Sequence, residues 1–258
     1  MNKTNYPTNL TEKQWKVIEK IVDTQGRKRK HNLREILNAI FYLLKTGCQW
    51  RMLPDNFAPW NTVYYYYRKW KNEGLIEELH DYLRDYTRIQ AGKKPSPSVG
   101  IIDSKSVKTS HHADCQVKGF DGNKKVKGRK LHIVTDTMGL LLCVFVHAAN
   151  IYDGNAAMSV IEKLRYKFPR LVKILADGSY REELIDKVKS VFSWILEIVL
   201  RKDNEPKFKV LPMRWIVERA FSWFEKYRRL TIDYEFYAES SEAMVQIAMV
   251  KIMLNRIK

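Results

Sequence analysis

The chain has 258 residues, 45% of them hydrophobic, enough to fill one large core or two modest ones, which excludes a disordered tail. Lysine and arginine number 46 against 29 acidic residues, a formal charge of +17 with a pI near 9.7, so the folded chain repels itself unless a polyanion such as nucleic acid screens it. Cys48, Cys115 and Cys143 lie far apart without CxxC spacing, the first residues lack an apolar signal segment, and no stretch approaches the ~20 apolar residues of a membrane helix; a reduced, cytoplasmic and nucleoid-associated setting without a membrane partner is expected.

Helical signals fill the first ninety or so residues. Thr11 and Gln14 have capping-box spacing, with Leu10 and Trp15 as the apolar staple, and predict a helix start. Asn32 to Glu35 repeats that logic, and Leu33, Ile36, Leu37, Ile40, Phe41 and Leu44 recur at helical period until Gly47 stops the run. From Asn61 a third helix places Val63, Tyr66, Tyr67 and Trp70 on one face and Tyr64, Tyr65, Arg68 and Lys69 on the other. Leu75, Ile76, Leu79, Tyr82, Leu83 and Tyr86 describe a fourth. Residues 1–90 therefore read as a helical, helix-turn-helix-like domain.

Prolines and small residues between Ala91 and Ser98 mark a linker, and from 99 to 258 the period changes. Val99 to Ile102, Leu131 to Thr135 and Leu140 to Val146 read as strands, the last two joined by a turn through Asp136 to Gly139. Asp153 opens a helix, Leu171 to Ala176 form a strand ending at Asp177, a helix follows near Glu182 to Val188, and Phe192 to Val199 give a fifth strand. A long aromatic helix is predicted after Pro212 and a last one from Ser241. The fold class is α/β, a mixed five-stranded sheet flanked by helices.

Asp103 and Asp177 each stand as the first polar residue after an apolar strand, and two acids at the ends of neighbouring strands converge on a common cation. Glu218, in an apolar and aromatic helix, supplies a third carboxylate. Hard Mg²⁺ or Mn²⁺ prefers such oxygens, and two ions ~3.5–4 Å apart activate a nucleophile and neutralise charge in phosphodiester cleavage. Taken singly, each acid also has a structural role open to it: a strand-end Asp as a turn residue, Glu218 as the partner of Arg214 four residues earlier. Asp136, in a hairpin turn, and Asp153, at a helix start, fit those structural roles.

Four blocks, Ile102 to Thr109, Lys125 to His132, Ala176 to Tyr180 and Arg214 to Arg219, together with Trp50 to Pro54, resemble in order and spacing the motifs of insertion-sequence-five-type transposases. The resemblance runs from about Leu10 to the C-terminus. It implies an RNase H-like catalytic domain at 99–258 with a DDE triad on Asp103, Asp177 and Glu218. It further implies hydrolysis at the element's ends to free a 3′-hydroxyl, attack of that hydroxyl on target DNA, and a homodimer formed on DNA to join two ends. The pattern around the glutamate is incomplete: Leu211 stands where the family has tyrosine, Arg214 is in place, and Glu225 stands seven residues after Glu218, with the base displaced to Lys226. Glu225 is the fallback for the third acid.

Double-stranded DNA, at the element's ends and at the target, is the expected partner. Between Lys105 and Lys130 lie eight basic residues and only two acids, Asp114 and Asp121, in a stretch that reads as a loop beside the first catalytic strand. Lys105, Lys124, Lys125, Lys127, Arg129 and Lys130 are expected to grip phosphates there, with Arg214, Arg219 and Lys226 extending the track along the aromatic helix. Asn61, Tyr64, Tyr65, Arg68 and Lys69 suit a major groove, with the basic run Arg27 to Lys30 nearby; packing of the helical bundle on other protein surfaces is the competing use of that face. His111 and His112 are given no role. Two other functions stand beside an active transposase: a DNA-binding protein derived from one, and an RNase H-like nuclease without strand transfer.

Overall fold

The computed structural model describes residues 5–23, 26, 29–110, 115, 117–180, 182–199 and 213–257. The readings made on Arg27, Lys28, His111, His112, Asp114, Leu211 and Pro212 lie outside these residues.

The helix starts follow the caps. Thr11 accepts from the Gln14 backbone N–H at 3.2 Å while the Gln14 side chain accepts from the Thr11 N–H at 3.1 Å, opening α1 (Glu12–Val22). Asn32 accepts from the Arg34 N–H at 2.8 Å at the head of α2 (Leu33–Thr46), which ends at Gly47 with φ 72°, a backbone that a side chain strains. After a short 3-10 turn (Trp50–Met52), α3 (Trp60–Asn72) buries Val63, Tyr67 and Trp70 and exposes Tyr64, Tyr65 and Arg68. In α4 (Leu75–Gln90) the expected face differs: Tyr82 is exposed, and Arg84 turns inward, held by Asp81 at 2.6 Å and Asp85 at 3.0 Å. Charge pairing lets an arginine take a position that periodicity gave to an aromatic ring.

The strands are β1 (Val99–Lys108), β2 (Gly119–Asp121), β3 (Val126–Thr135), β4 (Leu141–Ala148), β5 (Lys173–Ala176) and β6 (Ile195–Ile198), with α5 (Asp153–Glu162) and α6 (Glu182–Phe192) between the later ones. The chain continues through α7 (Trp215–Glu225), the single turn α8 (Arg228–Thr231) and α9 (Ala238–Leu254). Among the described residues no helix is long and apolar enough to cross a membrane.

Among those residues, six strands form one mixed sheet in the order β2-β3-β1-β5-β6, with β4 also on β3. All five expected strands are present; β2 is the addition. The first is longer than its apolar run, because β1 stays paired antiparallel to β3 down to Lys108 opposite Gly128. A central strand keeps its backbone hydrogen bonds through polar residues, so the described residues between Lys105 and Lys130 are largely strand extension and a β2-β3 hairpin. Gly128 is required by that pairing: a Cβ there would lie 2.0 Å from the Val107 carbonyl oxygen. The Asp136 turn is as expected, its carboxylate accepting from the Met138 and Leu140 N–H groups at 2.8 Å each. The helix expected after Pro212 is short, ending at Glu225 before Lys226 and Tyr227.

A core cluster that includes Ile102, Val134, Ile161, Leu164, Ile174, Val188 and Leu196 joins the sheet to α5 and α6. Each of these aliphatic side chains contributes roughly 1.5–3 kcal/mol by leaving water, which holds β1, β3, β5 and β6 against the two helices.

The backbone separates into two compact units. One comprises the described residues of Met1–Ala91, Phe224–Thr231 and Ala243–Lys258; the other comprises Gly92–Trp223 and Ile232–Glu242. Residues Ala243 to Leu254 are apolar nearly all round and need burial on every side, and in the helical unit the Gln14 side chain donates to the Leu254 carbonyl at 3.0 Å.

Candidate active site

Parallel strands β1 and β5 pair Val99 with Lys173, Gly100 with Ile174 and Ile101 with Leu175. The same register continued two residues sets Asp103 beside Asp177, on the same face because side chains alternate with period two. Asp103 is therefore not at a strand end, as its position after Ile102 suggested. It lies within β1, opposite Ile133 of β3. Asp177 follows the last residue of β5 directly, as expected.

Burial dominates the Asp103 carboxyl and pushes its pKa up to about 6. The neighbouring Asp177 charge adds to the rise, while the Ser104 N–H at 2.8 Å, Arg214 and Lys124 pull the other way. Asp177 is held by its own turn, accepting from the Ser179 N–H at 2.8 Å and from the Ser179 hydroxyl, and its second oxygen takes Arg214 at 3.1 Å.

Glu218, read as a third carboxylate within an apolar and aromatic helix, is exposed in the first turn of α7. Its carboxylate stands 3.7 Å from the Arg214 guanidinium, one helical turn earlier, so Arg214 links Glu218 to Asp177. Among the described residues no three His, Cys, Asp or Glu side chains stand close enough together to hold a metal ion. The donor chemistry of Asp103 and Asp177 nevertheless fits a hard divalent cation: two adjacent all-oxygen ligands, one with a pKa raised by burial and further by the other's charge. Glu218 is of the right type but is occupied by Arg214.

The basic residues divide. Lys124, Lys125 and Lys127 are exposed on the β2-β3 hairpin. Lys105 is half-buried on β1, opposite Leu131. Arg129 and Lys130, expected to grip phosphates, are buried. Arg129 is 0% exposed and donates to Asp233 at 2.9 Å, to the carbonyls of Val117, Glu235 and Phe236, and to Ser241. Lys130 pairs with Asp153 at 2.9 Å and donates to the Ile151 carbonyl. The sequence hides this because the partners lie on other elements, most of Arg129's about a hundred residues away. Arg219 lies between the rings of Trp215, at 4.5 Å, and Trp223, at 5.0 Å, and donates to Met138 in the β3-β4 turn. In the helical unit, the Asn61 side chain accepts from the Thr62 N–H at 2.8 Å, Tyr64 and Tyr65 are exposed, Arg68 lies 6.0 Å from the Tyr64 ring centre, Lys69 faces Glu73 at 3.9 Å, and Lys226 is exposed.

Three residues at the site carried no role in the sequence reading. Tyr180 is 1% exposed, three residues beyond Asp177, and its hydroxyl feels the charges of Asp103, Asp153 and Asp177. It contacts buried His132 of β3, which in turn faces His147 of β4. Tyr180 and His132 sit inside the quoted motif blocks, the one signal that marked them.

A family model described as "Transposase DDE domain" matches residues 94–253, and one described as "Putative transposase of IS4/5 family" matches residues 10–80. A curated protein of Burkholderia cepacia, "Putative transposase for insertion sequence element IS402", is 26% identical over 143 residues, 51% of this chain. The match spans 65% of that relative's length. The DDE domain implies an RNase H-like fold, in keeping with the mixed sheet and flanking helices.

Proposed function

Because this chain belongs to the DDE transposase domain family, whose members depend on divalent metal, we propose that it cuts and joins DNA at the ends of an insertion sequence, with Asp103, Asp177 and Glu218 as the catalytic acids. The observation that carries this reading is the β1/β5 register, which sets two carboxylates side by side, one of them with a pKa raised first by burial and further by the other's charge.

Asp103 and Asp177 would hold the cation, Mg²⁺ or Mn²⁺ and two ions in all, and Glu218 would join them by exchanging Arg214 for it. When bound, such ions lower the pKa of an attacking water and neutralise charge on phosphorus and on the leaving oxygen. The protein's own contribution is positional. The sheet fixes Asp103, the Ser179 turn fixes Asp177, and Arg214 offsets the carboxylates' negative charge until a cation takes its place. Water and then a 3′-hydroxyl serve as nucleophiles at the same place, since each step is an in-line displacement at phosphorus.

Lys124, Lys125 and Lys127 on the hairpin would bind phosphates, while Asn61, Tyr64, Tyr65, Arg68 and Lys69 on α3 would read the terminal inverted repeats; the working form is a homodimer on DNA. The test is Asp103→Asn assayed on duplex DNA carrying the element's end. Strand cleavage is expected to vanish while binding in a gel-shift assay stays within twofold. Full cleavage by that variant would remove Asp103 from the site.

A further inference from the structure

Next to the acid pair runs a buried hydrogen-bond chain whose direction is fixed by one backbone carbonyl. The Ala148 carbonyl only accepts, so His147 Nδ1, 3.0 Å away, carries a proton and donates to it. Both imidazoles are buried, at 0% for His132 and 4% for His147, and burial pushes both pKa values down, that of His132 to about 3. A neutral His147 with its proton on Nδ1 has a bare Nε2. His132 Nδ1, at 3.4 Å, must then donate to it. That leaves His132 Nε2 bare, so the Tyr180 hydroxyl, at 2.7 Å, donates its proton inward. Every donor points away from the acids.

A tyrosine hydroxyl beside three carboxylates would ordinarily donate to one of them. Here the chain turns the proton toward His132, and the negative end of three aligned dipoles faces Asp103, Asp153 and Asp177. Asp153 is already offset by Lys130 at 2.9 Å, so the effect falls on the Asp103–Asp177 pair.

We propose that Tyr180, His132 and His147 are positioning residues that deepen the negative potential at Asp103 and Asp177 and spare their oxygens the Tyr180 hydroxyl as a further donor, so that the pair takes a divalent cation. This rests on the reading of those two acids as the cation site, and the experiment separates the two.

Free Mn²⁺ is titrated into the full chain without DNA and followed by electron paramagnetic resonance, alongside the ¹⁵N resonances of its labelled histidines. In the wild type both His132 and His147 should be neutral with the proton on Nδ1; a proton on His132 Nε2, or a charged ring, overturns the proposal whatever the variants do. Tyr180→Phe should weaken Mn²⁺ binding at least threefold. His147→Leu should move the His132 proton to Nε2, reverse Tyr180 and weaken binding by at least as much. Wild-type affinity in both variants overturns the proposal. Asp103→Asn is the control: if it binds Mn²⁺ as the wild type does, the acid-site reading itself fails; if it loses binding while Tyr180→Phe and His147→Leu keep it, only the chain's role fails.

Discussion

Asp103 is under two opposing demands: the core of the sheet disfavours its charge, and a cation site needs it. Its pKa, raised from 3.8 to about 6, measures the conflict, and the difference between protonation states is about 3 kcal/mol. The folded state prefers the protonated acid, so this contribution to stability is fully present below pH 3.8 and lost as pH rises through about 6. Asp177 raises the value, and Arg214 and Lys124 oppose it, so all three set the window. Asp103→Asn, which has no charge to bury, should therefore be more stable than the wild type at pH 8 without divalent ions, by up to about 3 kcal/mol, and lose about half of that advantage at pH 5. Thermal unfolding at the two pH values checks it; an equal difference at both contradicts it. Asp103 and Asp177 were legible in the sequence because each follows an apolar run. The exposure of Glu218 was not, since an exposed glutamate in an aromatic helix differs from a buried one only in which way α7 faces.

At the scale of elements, β3 is where sequence and structure part most. Its basic run looks like a phosphate grip, yet Arg129 fastens the segment from Asp233 to Ser241 to the sheet. Asp233 also bridges to Thr109 at the end of β1, so one guanidinium and one carboxylate close this corner of the sheet. Arg129→Met would leave the buried Asp233 without its cation and should cost about 3–5 kcal/mol in urea unfolding. Lys127→Ala, at an exposed position two residues away, should stay within about 0.5 kcal/mol. Equal losses in the two variants would mean that Arg129 is not a clamp. No local pattern distinguishes Arg129 from Lys127, because burial comes from partners distant in sequence. Caps and turns were legible for the opposite reason: Thr11 with Gln14, Asn32, and Asp136 find their partners within four residues.

At the scale of the whole molecule, a formal charge of +17 makes salt the natural probe of DNA contact. Each phosphate neutralised contributes about 0.9 to the slope of log affinity against log salt. Replacing Lys124, Lys125 and Lys127 together by alanine should therefore lower that slope by roughly 2 to 3, equally on specific and unrelated duplexes. An unchanged slope places the phosphates elsewhere. The α/β class was legible because the period of the apolar residues switches after the prolines near Ser98; the return of the C-terminal residues to the helical unit was not, because helical period alone does not say which core a helix enters. The most direct measurement is Mg²⁺-dependent release of a 3′-hydroxyl at the element's end by wild type, Glu218→Gln and Glu225→Gln side by side. Release by wild type and Glu225→Gln but not by Glu218→Gln is the expected result. Release by Glu218→Gln at the wild-type rate would contradict a triad of Asp103, Asp177 and Glu218.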